Sequence, residues 1–431
     1  MKPIAFYART LACCILLFVI NQVSVAQEQQ RTTTDGAEHP VALRDLIAEA
    51  DQKNPQIAAA EHGYQAATHL AAQKSALPDT QVSVQQFNVG SPRPFAGYTN
   101  SDFAYIGIGA SQELPYPGKL RLRAQVGERE ADIRRADSSS VKRDVVGKLK
   151  AAYFRLAYLQ QTLSILERNN DLLNDIQHIA ESRYRVGQGN QQEVLKAQLQ
   201  HTKILQEITM HHRDVGQLQA QLKQLLNRPQ DTPDIRTEPL AARPLTYGAS
   251  DLMKLVQDQN PSVQVRQAML TKTQAEVNLA KKEFRPDFNL QYMYENTDRK
   301  FRDYYVFTIG INLPNRGRRK AELAEAEANR EQANKQLEAE LQQRFAEAQE
   351  QYVTAQASAE QLKIYNEGLI PQSEATFRAA LAAYQANRQD FETLLSSFFD
   401  VLNLQLEYQR ELADHETALA RLETLTGVNF Q

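Results

Sequence analysis

The stretch from Pro115 to Gly189 constrains the fold more than any other part of the chain. It opens with the turn Pro115-Tyr116-Pro117-Gly118-Lys119, and no proline follows up to Tyr184. Residues at heptad spacing then form a mostly apolar seam at Val145, Leu149, Ala152, Leu156, Leu159, Leu163, Leu166, Asn170 and Leu173. This pattern predicts a coiled-coil helix. At about 1.5 Å per residue, a continuous helix here would be on the order of 100 Å long, which no globular domain accommodates.

Residues 1–26 have the pattern of a secretory signal peptide, with basic Lys2 and Arg9, an apolar run and the cleavage site Ser24-Val25-Ala26. Both cysteines, Cys13 and Cys14, lie inside it, so the mature chain is expected to lack disulfides, thiolate nucleophiles and cysteine metal ligands. They open the apolar run rather than follow it, so no lipid anchor is expected. No later run reaches about 18 apolar residues, so no transmembrane helix is expected either. The formal net charge of −3 argues against a nucleic-acid partner.

The chain from residue 27 onward is read as two copies of one unit. The matching landmarks are Asn54-Pro55 with Asn260-Pro261 (260 − 54 = 206), Pro115 and Gly118 with Pro314 and Gly317 (314 − 115 = 199), and Tyr184 with Tyr384 (384 − 184 = 200). The repeat predicts a first unit at 27–228, a proline-rich linker at 229–250 and a second unit at 251–431.

Each copy is predicted to contain a helix, a β-hairpin and a long helical hairpin. The β-hairpins fall at about 80–114 and 287–313, and the long helical hairpins at about 118–227 and 317–426. In the second copy, Phe288, Leu290, Tyr292 and Tyr294 share one face of a strand, and Tyr305, Phe307, Ile309 and Ile311 share one face of the next. Runs of about ten alternating residues have the length of tilted membrane strands. An ordinary soluble hairpin is the alternative, but the aromatic face and the secretory signal favour the membrane.

Four predicted strands are too few to close a barrel alone, and an open sheet edge in lipid would leave backbone groups unsatisfied. The predicted fold class is therefore mainly α with a membrane β-barrel portion. Three copies would form a twelve-stranded barrel that is continued by a bundle of long helices.

The mature chain resembles the TolC-like outer-membrane efflux factor family over essentially its whole length. The residues that carry this resemblance are the two-fold repeat, both Asn-Pro pairs, the stretch from Gln112 to Lys119, and Tyr184-Arg185-Val186-Gly187. The Pro-x-Pro-Gly-Lys form resembles the heavy-metal branch, the CzcC- or CusC-like exit ducts. The resemblance implies a homotrimer with a β-barrel in the outer membrane and an α-helical barrel in the periplasm. It also implies a periplasmic adaptor and an inner-membrane pump as partners.

In that family the turn of the helical hairpin meets the adaptor. The expected docking residues in this chain are Tyr184, Val186, Gly187, Gly189, Tyr384 and Asn387. Glycine permits positive φ at a tight reversal, and asparagine tolerates it. A plain interhelical turn without a partner is the alternative.

Asp390 and Glu392 follow the second turn and are candidates for the pore gate. In a trimer each would form a ring of three carboxylates, and such rings select cations. The family's acidic gate lies slightly later, where this chain has Thr393 and Ser396, and an ordinary helix start is the alternative. Pro371, whose counterpart is Asp171 (371 − 171 = 200), predicts a break that makes the second helical hairpin the more mobile one.

The barrel-to-helix turns are assigned to Pro115, Gly118, Lys119, Pro314 and Gly317. The basic residues at these turns are Lys119, Arg121, Arg123, Arg316, Arg318, Arg319 and Lys320. They either frame the inner headgroup layer or belong to solvated helix starts. Arg299, Lys300 and Arg302 in the second β-hairpin are expected near lipopolysaccharide phosphates. The histidine pairs His211-His212 and His62/His69 lack chelating spacing, so neither a metal site nor a cofactor is expected.

Together these inferences predict a passive exit duct of a tripartite efflux system in the outer membrane, extending into the periplasm. Its cargo would be small solutes, with heavy-metal cations as one candidate class. Motifs of hydrolases, P-loops and metalloproteases are missing from the sequence, so no enzyme is expected. The alternative is a periplasmic coiled-coil adaptor or scaffold, which would have one helical hairpin and a lipoyl-like module.

Overall fold

The computed structural model describes residues 40–87, 104–296 and 303–430. The predicted signal peptide, the hairpin loop from Gly90 to Ser101, and Arg299, Lys300 and Arg302 lie outside the described residues. The chain divides into two compact units. The sheet unit comprises the described residues within Glu49–Ala151, Ala242–Gln372 and Arg410–Gln431, and the helical unit comprises those within Met1–Ala48, Ala152–Ala241 and Ser373–Gln409.

Helices make up most of the described chain. They are α1 (Leu43–Lys53), α2 (Pro55–Thr68), α3 (Leu70–Ser75), α4 (Lys119–Arg185), α5 (Gln191–Leu225), α6 (Ala249–Gln259), α7 (Pro261–Lys282), α8 (Arg316–Ile364), α9 (Ile370–Gln385) and α10 (Phe391–Thr426). The long helix predicted after the first turn is confirmed as α4, which has 67 residues. None of the described helices combines the length and the hydrophobicity that a membrane span requires.

Both Asn-Pro pairs begin helices, α2 and α7. Asn54 Oδ1 accepts hydrogen bonds from the amides of Gln56 and Ile57 at 2.8 and 3.3 Å. Asn260 Oδ1 accepts one from the Val263 amide at 3.1 Å. Proline follows each asparagine because the first helical position needs no amide donor. The recurring dipeptide therefore repeats for a local reason, as a helix start.

The seam predicted for α4 is buried, apart from the half-buried Asn170. The second copy differs, because a π-helical turn at Tyr365–Leu369 separates α8 from α9. The Ile370 amide donates to the Tyr365 carbonyl, five residues back, so this turn holds one extra residue. That residue accounts for the change in repeat offset from 199 (314 − 115) to 200 (384 − 184). Leu369, the last residue of this turn, is 39% exposed.

The strands form one antiparallel sheet in the order β1 (Gln81–Phe87), β2 (Tyr105–Leu114), β3 (Asp287–Asn296) and β4 (Tyr304–Asn312). The central pair joins the two copies of the repeat, with Ala110 opposite Tyr292. The outer pairs place Val82 opposite Ala110 and Phe307 opposite Tyr292. The sheet unit thus brings both predicted β-hairpins into a single sheet.

The linker is held at fixed points within the helical unit. Gln219 donates to the Ile235 carbonyl and accepts from the Ile235 amide, at 2.8 and 2.9 Å. Gln160 Oε1 accepts from the Thr237 amide and hydroxyl at 3.1 and 2.8 Å. Thr237 also forms a parallel β-bridge with Val41. Together these bonds satisfy backbone groups of the linker, so this part of the proline-rich segment is held against the helices.

Candidate functional site

One face of the sheet is mostly apolar. Its apolar residues are Val82, Val84, Ile106, Ile108, Ala110, Leu114, Phe288, Leu290, Tyr292, Tyr294, Tyr305, Phe307, Ile309 and Ile311, and three polar residues, Gln86, Gln112 and Asn296, lie among them. Several are widely exposed, with Val82 at 73% and Phe307 at 64%. The alternation predicted for the second copy is confirmed, and the pairing extends it across the first. An exposed apolar patch of this extent marks a surface that is covered by lipid or by protein.

The opposite face is mainly polar. It carries Gln81, Ser83, Gln85, Ser111, Glu113, Asn289, Gln291, Glu295, Thr308 and Asn312, with Gly107, Gly109 and Gly310 between them. Glu295 is buried beside Gly107, where an added Cβ would lie 3.0 Å from its Cγ. Its apolar members, Phe87, Tyr105, Met293, Tyr304 and Val306, lie toward the hairpin end.

Lys119 lies at the end of the sheet where β2 passes into α4. Its side chain is fully buried, and its Nζ contacts Asp287 at 2.8 Å, Glu283 at 3.0 Å and the Arg285 carbonyl at 2.9 Å. The Tyr116 amide also donates to Asp287, at 2.7 Å. Lys119 therefore takes neither of its two expected roles, headgroup contact or solvated helix start, because it joins the first turn to the start of β3.

The two barrel-to-helix turns are not equivalent. Gly118 has φ +92 and precedes α4. Gly317 lies inside α8, which begins one residue earlier because Asn315 Oδ1 accepts a hydrogen bond from the Arg318 amide at 3.2 Å. The requirement for glycine applies to the first turn alone, since only Gly118 adopts the left-handed region.

The two interhelical turns of the helical unit share one backbone geometry. Gly187 has φ +74 and Asn387 has φ +57. The Gln188 amide donates to the Arg183 carbonyl at 2.9 Å, and the Arg388 amide donates to the Ala383 carbonyl at 2.8 Å. Both are helix ends of the Schellman type, so Asn387 does replace the glycine of the first copy. Gly189 does not adopt positive φ, and an added Cβ there would lie 3.3 Å from the Arg183 Cβ.

The side chains of the turns differ more than their backbones do. Tyr184 and Val186 are exposed at 48% and 69%, whereas Tyr384 is 1% exposed. Tyr384 packs edge-on against Phe391, with ring centroids 5.6 Å apart, and its hydroxyl donates to Glu193 at 2.7 Å. Burial and the hydrogen bond to Glu193 raise the pKa of Tyr384 well above its usual range. The ring of Tyr384 is therefore part of the core, and the first turn presents the accessible apolar side chains.

Asp390 has the geometry of a helix cap. Its Oδ1 accepts a hydrogen bond from the Thr393 amide at 2.8 Å, as Asn190 Oδ1 accepts one from the Glu193 amide at 3.0 Å. Hydrogen bonds from the hydroxyl and amide of Thr393 hold the pKa of Asp390 below its usual range. Glu392 forms an exposed ion pair with Lys196. The gate role of Asp390 and Glu392 stays a prediction.

Sequence reasoning missed Arg183, which binds both turns at once. Its counterpart at the repeat offset is Ala383 (383 − 183 = 200), so the repeat gave no signal for it. Glu193, the partner of Tyr384, likewise corresponds to Thr393. Among the described residues, His, Asp and Glu side chains form no group of three or more that would hold a metal ion.

The sequence matches the family model described as "Outer membrane efflux protein" at residues 46–228 and 252–427. The chain belongs to the outer membrane efflux protein family. The two matched ranges fall on the two copies of the repeat.

The fold is similar to solved structures of this class. CusC, described as forming a transmembrane channel, has a TM-score of 0.77 at 17% identity, over 93% of this chain and 96% of that chain. The outer membrane protein VceC from Vibrio cholerae has a TM-score of 0.75 at 19% identity, over 90% and 97%. The CmeC outer membrane channel of Campylobacter jejuni has a TM-score of 0.76 at 14% identity, over 93% and 91%. A search of curated proteins gave no match.

Members of the outer membrane efflux protein family are channels rather than enzymes. This chain is accordingly an exit duct for efflux, located in the outer membrane and extending into the periplasm. The alternative of a periplasmic adaptor is not favoured by these findings.

Proposed function

We propose that three copies of this duct pair their sheets into a twelve-stranded barrel, each β1 lying beside β4 of the next copy. The observation that carries this proposal is the order β1-β2-β3-β4, in which each outer strand of the described sheet has a pairing partner on one side only. The apolar face runs to both of these edges. Unpaired edges are not tolerated in lipid, and pairing between copies removes them.

Disulfide trapping tests the arrangement, because the chain beyond residue 14 contains no cysteine. Ser83→Cys in β1 combined with Thr308→Cys in β4 should cross-link neighbouring copies into a covalent ring. Within one copy these strands are three strand spacings apart, about 14 Å, too far for a disulfide. Gln81→Cys or Gln85→Cys in place of Ser83→Cys samples the neighbouring registers on the same face.

The control combines Ser83→Cys with Gln291→Cys in β3, a strand that already has two partners. It should stay monomeric on a denaturing, non-reducing gel, whereas the β1–β4 pairs give dimers and trimers. Monomer from every β1–β4 combination in the outer-membrane fraction would contradict the trimeric barrel.

The partners proposed for the duct are a periplasmic adaptor and an inner-membrane pump. The exposed Tyr184 and Val186 of the first turn support docking there, with Gly187 shaping the backbone. Gly189, Tyr384 and Asn387 would support this surface from within. Val186→Asp should abolish export while leaving the amount of trimer unchanged, whereas Arg168→Asp, also exposed on α4, should leave export intact.

The cargo proposed is a small solute, with heavy-metal cations as the first class to examine. Glu113 and Glu295 lie on the polar face of the described strands, which carries neither Lys nor Arg. Carboxylates lining a pore favour cations. A deletion strain carrying the duct, tested against copper, zinc, cobalt and hydrophobic drugs, separates the classes. Glu113→Gln with Glu295→Gln should weaken resistance to metal, and protection against drugs alone would contradict this cargo.

A further inference from the structure

One end of the sheet, the edge at which the strands meet the long helices, joins the apolar face to a concentration of positive charge. At this edge β2 ends at Leu114, β3 begins at Asp287 and β4 ends at Asn312. The apolar face continues to Leu313, which is 81% exposed. Four segments surround this edge, at residues 78–81, 113–123, 281–287 and 311–322. Together they contain ten Lys and Arg residues against five Asp and Glu residues. The whole chain has a net charge of −3, so this excess of five positive charges is local.

The carboxylates at this edge are already paired for the most part. Glu283 contacts Lys119, Arg123 and Arg319, and Glu322 contacts Arg318 and Arg319. Asp287 forms an ion pair with Lys119. A further set of cations at the edge shows no ion pair to a described carboxylate: Arg121, Lys281, Lys282, Arg285, Arg316 and Lys320. We name this set the basic collar.

The basic collar is directed to the surface. Five of its six members are exposed, and the sixth, Lys282, is half-buried. Lys282 Nζ and Arg285 Cζ lie 5.1 and 5.9 Å from the centre of the Tyr116 ring. Tyr116 lies two residues beyond Leu114, the last residue of β2 and a member of the apolar face. An amphipathic ring flanked by cations at the border of an apolar surface suits the headgroup level of a bilayer.

We propose that the basic collar binds the phosphates of anionic phospholipids in the leaflet that faces the periplasm. The inference rests on the proposed function, since it requires the apolar face to lie in the bilayer. Both long helices, α4 and α8, begin at this edge, which places it on the periplasmic side of a duct that extends into the periplasm. Charge complementarity then selects phosphatidylglycerol-type headgroups, which carry a net negative charge, over zwitterionic ones.

Spin-labelled lipids test the proposal with the full-length duct in phosphatidylcholine vesicles. Electron paramagnetic resonance measures the fraction of labelled phosphatidylglycerol or labelled phosphatidylcholine that the protein immobilises. Phosphatidylglycerol should be preferred at least roughly fivefold, because each Lys or Arg near an anionic surface contributes about 1 kcal/mol. The preference should fall as salt rises to about 1 M, where the Debye length is about 3 Å.

The test variant is Arg285→Gln/Arg316→Gln/Lys320→Gln, which should lose most of the preference. Its matched control, Lys254→Gln/Lys335→Gln/Lys363→Gln, removes three exposed cations from other parts of the sheet unit and should keep it. Unheated gels verify trimer for both, and the single variant Arg316→Gln serves if the triple variant does not assemble.

Equal immobilisation of the two lipids by the unmodified duct would overturn the proposal. So would a triple variant that behaves as the control does. A preference for labelled lipopolysaccharide over phosphatidylglycerol that the triple variant removes would assign the collar to the other leaflet and overturn it as well. A duct that immobilises neither phospholipid would instead refute the membrane placement of the sheet.

Discussion

The guanidinium of Arg183 lies 2.6 Å from Asn387 Oδ1 and 2.6 Å from the carbonyl of Tyr384. Asn387 occupies the position that glycine holds in the first interhelical turn, and Tyr384 lies in the last helical turn of α9. Arg183 Cζ also lies 4.5 Å from the centre of the Tyr384 ring. One side chain of the first copy therefore holds the backbone of the second, and the two turns act as a single surface.

Arg183→Met should loosen both turns without unfolding the helices. Methionine keeps much of the length of the side chain but removes the charged donors, each worth about 1.5–3 kcal/mol. Hydrogen exchange measured by mass spectrometry should become faster across residues 184–190 and 384–390. Arg185→Met, whose described contact is a 3.4 Å bond to Ser182, is the control. Unchanged protection of 384–390 would show that Arg183 does not join the turns.

Substitutions at Asn387 separate its backbone role from its side-chain role. Asn387→Gly keeps positive φ, as Gly187 does, and loses only the bond to Arg183. Asn387→Ala loses that bond and adds the cost of the left-handed region, about 1 kcal/mol. The predicted order of thermal stability is unmodified duct, then Gly, then Ala. Equal stability of the Gly and Ala variants would contradict the positive φ at this turn.

Variants of Asp390 distinguish a helix cap from a gate. Asp390→Asn keeps an oxygen acceptor, as Asn190 does in the first copy, so the start of α10 should remain intact. Asp390→Ala removes the acceptor and should fray it. If Asp390 is only a cap, single-channel recordings of the Asn variant should show unchanged cation selectivity. A large loss of selectivity in that variant would support the gate instead.

The same carboxyl predicts a dependence on pH. The pKa of Asp390 is lowered in the folded chain, so its stabilising contribution is present above the unfolded value of about 3.9. It is lost as pH falls through the lower folded value. Helicity of the unmodified duct should therefore decline more than that of Asp390→Asn in acid, as measured by circular dichroism. Parallel acid titrations of the two proteins would count against the cap.

Lys119→Met should be strongly destabilising. It leaves Asp287 and Glu283 without their buried cation, and removing one member of such a pair costs about 3–5 kcal/mol. Urea unfolding of the purified duct measures the loss, and the yield of trimer in the outer membrane should fall with it. Arg121→Met, an exposed neighbour on α4, should stay near the unmodified value. A loss equally small at both positions would contradict the buried ion pair.

The π-helical turn predicts the effect of a deletion. Removing Gly368 together with Pro371→Ala should turn Tyr365–Leu369 into an ordinary α-helical turn and leave the second interhelical turn in place. The variant should be more stable, since glycine and proline cost about 1 and 3 kcal/mol inside helices. If the second hairpin opens the duct through this turn, export should fall as stability rises. Full export by the stabilised variant would remove the hinge hypothesis.

Much of the fold was predictable because its determinants are local. The heptad spacing of α4 needs only neighbours in sequence, and Asn54-Pro55 forms its cap within three residues. The alternation from Phe288 to Tyr294 identifies which face of β3 is apolar. The π-helical turn was harder to predict, because its one extra residue appears only when the two copies are compared at both ends.

The candidate site was less predictable because its contacts join residues that are distant in sequence. Tyr184 and Tyr384 occupy the same repeat position, yet one is exposed and the other is buried against Phe391. Arg183 and Glu193 carry that difference, and neither has an equivalent in the other copy. Lys119 looked like a surface cation until its three partners near the start of β3 were known.

The sequence by itself determined the repeat, the long helices, the amphipathic strands and the family, since each depends on spacing along one chain. Tertiary structure alone decided that Tyr384 is buried while Tyr184 is exposed, which cations are neutralised and which remain at the surface. The physical reason is that burial and ion pairing depend on distances in space, whereas periodicity and capping depend on distances along the backbone. In this duct, distances in space decide which side chains remain accessible for binding, and distances along the backbone decide which helices and strands form.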